Sequence, residues 1–148
     1  TRLRPYMIWA DTTTSVEDSR NFIRHALRCM ADGTETHWGI WCDGRFAGAI
    51  GTLPIDHAAK KAEFGYWISG AFQGRGLVTA AGRAMLAHLF DTLGLNRAEL
   101  RIRVANIRSR AVAERLGFTL EGIQRHACYA AAVPEDIACY GLLRDEWA

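Results

Sequence analysis

The chain has 148 residues, 49% of them hydrophobic, with 18 Lys and Arg against 16 Asp and Glu for a formal charge of +2. That suits one globular domain able to bury a core. The basic residues are spread along the chain rather than blocked, which argues against a nucleic-acid partner, and no apolar run approaches the roughly 20 residues of a membrane span.

The elements follow in order. Thr1 to Trp9 has no clear period and reads as a loop with aromatic anchors. Thr14 or Ser15 caps a helix, Asp18 lies near its positive end, and Phe22, Ile23, Ala26, Leu27 and Met30 share a face until Asp32-Gly33 stops it. Trp38, Ile40 and Cys42 alternate as a strand, Asp43-Gly44 is a strong hairpin turn, and Phe46 to Leu53 is the returning strand. Ala62 to Ser69 (A-E-F-G-Y-W-I-S) is a third strand, completing a meander. Leu77 to Leu93 is an amphipathic helix of roughly 25 Å, at about 1.5 Å per residue. Ala98 to Val104 is a strand, Ile107 to Leu116 a short helix, and Phe118 to Ile123 and Ile137 to Leu143 are strands joined by a loop over Tyr129 to Glu135, which contains Pro134.

Cys29, Cys42, Cys128 and Cys139 form no C-x-x-C pair and read as reduced thiols of a cytosolic chain. His25, His37, His57, His88 and His126 show no ligand-spaced pair, so no metal is expected and each reads as a surface or packing histidine.

The most informative stretch lies between the third strand and the long helix. Gly74 and Gly76 lack Cβ atoms, so successive backbone N–H groups can converge on one ligand beside the positive end of the helix. Such a turn is suited to an anion. A Walker loop would need a Gly-Lys-Ser/Thr ending, whereas Arg75-Gly76-Leu77 has no lysine. A dinucleotide fingerprint would need a glycine where Thr79 stands.

Gln73-Gly74-Arg75-Gly76-Leu77-Val78 resembles the Q/R-x-x-G-x-G/A signature of the GNAT acetyltransferases, Val78 departing from the small last residue. Asn106 to Phe118 (N-I-R-S-R-A-V-A-E-R-L-G-F), Leu120-Glu121-Gly122 and the ending Arg144-Asp145-Glu146-Trp147 are similar to the RimJ/RimL-like branch. The resemblance covers nearly the whole chain. It implies an α/β fold with a mixed, mostly antiparallel sheet flanked by helices. GNAT chains normally open with a strand and a helix not found before Thr1, so a single domain lacking these elements is expected, with about 25–35 further residues in the natural chain.

The resemblance also implies acetyl-CoA as co-substrate and a primary amine as acceptor: a protein N-terminal α-amino group or, alternatively, a small amine such as an antibiotic or polyamine. A non-catalytic acyl-CoA-binding module is a third reading, and a homodimer is compatible with each. By the same resemblance the amides of Gln73, Gly74, Arg75, Gly76, Leu77, Val78 and Thr79 hold the pyrophosphate. Backbone groups of Tyr66, Trp67 and Ile68 pair with pantetheine, as does Asn106. Glu63 takes the amine proton, usually through water, and Ser109 serves the leaving thiolate. Each has a plainer alternative. Glu63 also reads as a solvated strand-end carboxylate, since alternation alone does not give its face, and Asn106 and Ser109 also read as helix caps.

Overall fold

The computed structural model describes residues 15–147; the expected loop at Thr1 to Trp9 and the Thr14 capping option lie outside them. Helix α1 (Val16–Asp32) is capped by Ser15, whose side chain accepts from the Asp18 amide while the Asp18 carboxylate accepts from the Ser15 N–H. Gly33, at φ 70°, closes its other end. Strands β1 (His37–Cys42) and β2 (Arg45–Thr52) are joined through Asp43 and Gly44, at φ 51° and 73°, as the sequence predicts. β3 (Lys61–Ile68) completes the meander.

Helix α2 (Leu77–Ala87) continues through a wider π turn over His88–Thr92. β4 (Arg97–Arg103), α3 (Ile107–Arg115), β5 (Thr119–Ala130) and β6 (Val133–Leu143) complete the chain before a short 3₁₀ turn. The sheet order is β1-β2-β3-β4-β6-β5, and only the β3–β4 pair is parallel.

The expected Tyr129 to Glu135 loop is instead the tip of a long hairpin. Cys128, Tyr129 and Ala130 pair with Glu135, Pro134 and Val133, and the turn consists of Ala131 and Ala132 at φ 48° and 65°. A two-residue turn with both φ positive normally calls for Asn or Gly, so two alanines gave no signal. Pro134 is tolerated because β4 ends before it: Arg103 opposite Ile137 is the last β4–β6 pair.

Alternation assigns the two faces of the sheet. Ala62, Phe64, Leu100, Ala138, Tyr140 and Leu142 are buried against Met85, Leu86, Leu89, Phe90, Val112 and Ala113 of α2, its π turn and α3. The opposite face is covered at β1 by α1, where Phe22 meets His37 edge-on at 5.6 Å. Across β4, β5 and β6 it carries charge: Arg97 bonds Glu99 at 2.7 Å and Glu121 at 2.8 Å, and Arg103 bonds Glu135.

Candidate active site

Pairing between β3 and β4 covers only Lys61–Arg97, Ala62–Ala98 and Glu63–Glu99, and then the strands part. The Glu63 carbonyl accepts from Leu53 N–H, and Ser69 N–H donates to the Ala47 carbonyl. Odd-numbered residues of β3 therefore turn their backbone groups to β2. The even-numbered Phe64, Tyr66 and Ile68 turn theirs to the side that β4 has left, so a slot opens with amides along one wall. Trp67 presents its backbone to β2 and its ring to Phe46, 5.8 Å away.

The glycine-rich turn lies at the far end of β3. Gly74 and Gly76 have φ 76° and 72°, and a Cβ built on either would meet nothing within 4 Å. Gly76 is the N-cap of α2 and no side chain caps that helix; Ala80 N–H donates to the Gly76 carbonyl. The amides of Leu77, Val78 and Thr79 thus remain at the positive helix end, where an anion is stabilised. Gln73 accepts from Arg108 at 2.6 Å, tying the turn to α3. The Arg75 side chain leaves the turn, lying over the Phe72 ring at 5.6 Å and 3.9 Å from Asp43, so its backbone is the part available for binding.

Opposite the open stretch of β3 stands the start of α3. Asn106 is its N-cap, accepting from the Ser109 amide at 3.2 Å. The Ser109 hydroxyl donates to the Tyr66 hydroxyl at 3.1 Å, and Tyr66 in turn donates to the Ser109 carbonyl at 3.1 Å. Burial pushes the Tyr66 phenol up to about 12, so it stays protonated as a donor. This hydroxyl pair spans the slot on the α2 and α3 face. The sequence reading gives Tyr66 a backbone role toward pantetheine and none for its hydroxyl.

Glu63 points to the other face of β3, among Lys61, Glu99 and Arg101. Burial raises its carboxyl above the usual range, with Glu99 adding to the rise and Arg101 and Lys61 opposing it. Glu63 and Ser109 therefore approach the slot from opposite faces. On the Glu63 side a bulge at Ala47 in β2 turns Phe46 to join Trp41, 5.3 Å away, and Trp67 in an aromatic cluster.

A model of the acetyltransferase (GNAT) domain matches residues 2–119. The chain belongs to the GNAT acetyltransferase family. It is 37% identical over 147 residues to a putative ribosomal N-acetyltransferase of Bacillus subtilis, covering 99% of this chain and 80% of the relative. With the ribosomal-protein-serine acetyltransferase of Escherichia coli it shares 29% over 145 residues, 98% of this chain and 81% of that one. Among solved structures, RimL, the ribosomal L7/L12 alpha-N-protein acetyltransferase in complex with coenzyme A, superposes with a TM-score of 0.93 at 29% identity, covering 97% and 81% of the two chains. The microcin C7 self-immunity acetyltransferase MccE, in complex with acetyl-CoA and AMP, superposes at 0.91 with 30% identity, covering 96% and 79%.

This GNAT acetyltransferase thus has the mixed, mostly antiparallel sheet expected from its motifs. Among the described residues, no helix is long and apolar enough to cross a membrane.

Proposed function

We propose that the protein transfers the acetyl group of acetyl-CoA to the α-amino group at a protein N-terminus. The observation that carries this reading is the slot. Its wall of backbone groups at Phe64, Tyr66 and Ile68 leads from an anion-suited glycine turn to the paired hydroxyls of Tyr66 and Ser109. A long, flexible ligand with a pyrophosphate at one end and amides along its arm matches that order of groups. Acetyl-CoA supplies an acyl group activated as a thioester.

The residues then divide the work. The amides from Gln73 to Thr79 hold the pyrophosphate, with Gly74 and Gly76 permitting close backbone approach. Tyr66 and Ile68 offer backbone partners to the pantetheine arm, and the carboxamide of Asn106 offers another while its oxygen keeps the helix cap. Trp67 contributes its ring to the acceptor side. The amine enters on the Glu63 face, and Glu63 takes its proton, directly or through one water. An α-amino group has a pKa of about 7.7–8.0, so a carboxylate raised by burial is basic enough for a partly neutral amine. Ser109 turns its O–H from Tyr66 to the sulfur as negative charge develops there, and Tyr66 steadies the residue through the Ser109 carbonyl.

The named activities of the relatives favour a protein acceptor, since both the Bacillus and Escherichia proteins are named for ribosomal substrates. Thiol release with a panel of N-terminal peptides, polyamines and aminoglycosides tests this. Turnover is expected with peptides bearing a free α-amine and is lost when that amine is blocked. Turnover confined to a polyamine or aminoglycoside would replace the acceptor assignment, and no turnover with any amine would favour a binding module.

A further inference from the structure

We propose a divalent-cation site, best suited to Zn2+, made by His25 and Cys29 of α1 and Glu35 of the turn into β1. One ligand atom from each lies within 4.8 Å of the others. The Cys29 Sγ is 3.5 Å from His25 Nε2, and His25 Nε2 is 4.0 Å from the Glu35 Oε2. A tetrahedral Zn2+ with bonds of about 2.0–2.3 Å holds neighbouring ligand atoms roughly 3.3–3.7 Å apart. The first distance already fits, and the second closes with a small side-chain rotation.

The surroundings hold Cys29 and Glu35 in place, while His25 is exposed on the helix. His25 and Cys29 share a helix face at i and i+4. The Cys29 carbonyl accepts from the Thr34 amide at 2.9 Å and the Glu35 amide at 3.4 Å, fixing the span from Cys29 to Glu35. Glu35 is 12% exposed, and its Oε2 is bonded at 2.6 Å to Nε2 of His37. That His37 ring is seated against Phe22, and it occupies the space of a missing side chain: a Cβ at Gly51 would lie 2.3 Å from His37 Nδ1. A carboxylate oriented by an outer histidine is the kind of support that metal ligands receive. The site also sits at the negative end of α1, whose last turn holds no basic residue, so a cation there is favoured by the helix dipole.

One nitrogen, one thiolate and one carboxylate suit a borderline cation such as Zn2+ better than Mg2+ or Ca2+. On binding, the Cys29 thiol gives its proton to solvent and a water takes the fourth position. The ion would fasten α1 to the start of β1. The sequence reading, which compared histidines with histidines, passed over this group because its third ligand comes from beyond the helix.

The test uses the full chain freed of metal by a chelator and titrated with Co2+ and then Zn2+. One equivalent of Co2+ should give a thiolate-to-cobalt charge-transfer band with tetrahedral ligand-field absorption, and Zn2+ should displace it. Cys29→Ser should abolish the band, whereas serine at Cys42, Cys128 or Cys139 should leave it. His37→Gln should keep the band and weaken binding about 10-fold to 100-fold. Absence of the band, or its survival in Cys29→Ser, would overturn the site. An affinity unchanged in His25→Ala would do the same.

Discussion

Ser109 and Glu63 differ in what their chemistry asks of pH. In its proposed role Glu63 works as a base only when ionised, and its carboxyl is raised from the ordinary value because it is partly buried. Activity should therefore fall as pH drops through that raised value, giving an acid limb above the usual carboxylate range. Glu63→Gln should lower turnover about 10-fold to 1000-fold with little change in acetyl-CoA affinity, and the loss should shrink as pH rises and more amine is already neutral. Ser109→Ala should lower turnover over the same range without that recovery; steady-state rates of both variants across pH check this. Linkage adds a sign. A carboxyl that binds its proton more tightly in the folded than in the unfolded chain loses stability as pH rises through the folded value, so Glu63→Gln should be no less stable than the parent at neutral pH. At this scale the sequence showed the Asn106 cap and put Glu63 on a strand and Ser109 in the first turn of a helix. It did not show which face Glu63 takes, nor that Tyr66 meets Ser109, because both depend on how β3 and α3 pack across 43 positions.

Among the elements, the glycine turn makes the sharpest claim. A Cβ at Gly76 meets nothing within 4 Å, but it would stand on a left-handed backbone at the N-cap of α2, where the proposed pyrophosphate site lies. Gly76→Val should leave a folded protein by circular dichroism, with a modest loss of stability from the positive φ, and should abolish measurable acetyl-CoA binding. Unchanged affinity would remove the pyrophosphate assignment. In β6, Gly141 lies under the Arg97–Glu121 pair, and a built Cβ would crowd the Glu121 Oε1 and the Arg97 Nη1. Both are the ends of flexible, part-exposed side chains, so Gly141→Ala should displace the pair and cost no more than about 1 kcal/mol in denaturant unfolding. Element boundaries were legible wherever turn chemistry was ordinary: Ser15, Gly33 and Asp43-Gly44 stand where expected. The π turn after Ala87 and the Ala131-Ala132 hairpin were not, because neither carries a residue that demands its conformation.

For the whole molecule, the sheet is two halves joined by three residue pairs between β3 and β4 and by the shared core beneath. A ligand lying in the slot and bonding to the backbone of β3 would tie the halves together. Hydrogen exchange at the amides of Tyr66 and Ile68 should slow on adding acetyl-CoA, while that of Trp67, already directed at β2, should change less; equal change at all three would contradict the slot assignment.

Geometry of this kind also constrains time. The inner wall of β3 is flanked by α3 on one face, and in the proposed reaction the amine comes from the other, over Glu63. An acceptor seated there first would close the second face of the slot before the donor had entered. On that proposal the donor is expected to enter first and the spent thiol to leave last, an ordered sequence. Coenzyme A should then inhibit competitively against acetyl-CoA and noncompetitively against the peptide, and product-inhibition patterns symmetrical in the two substrates would show that either can enter first.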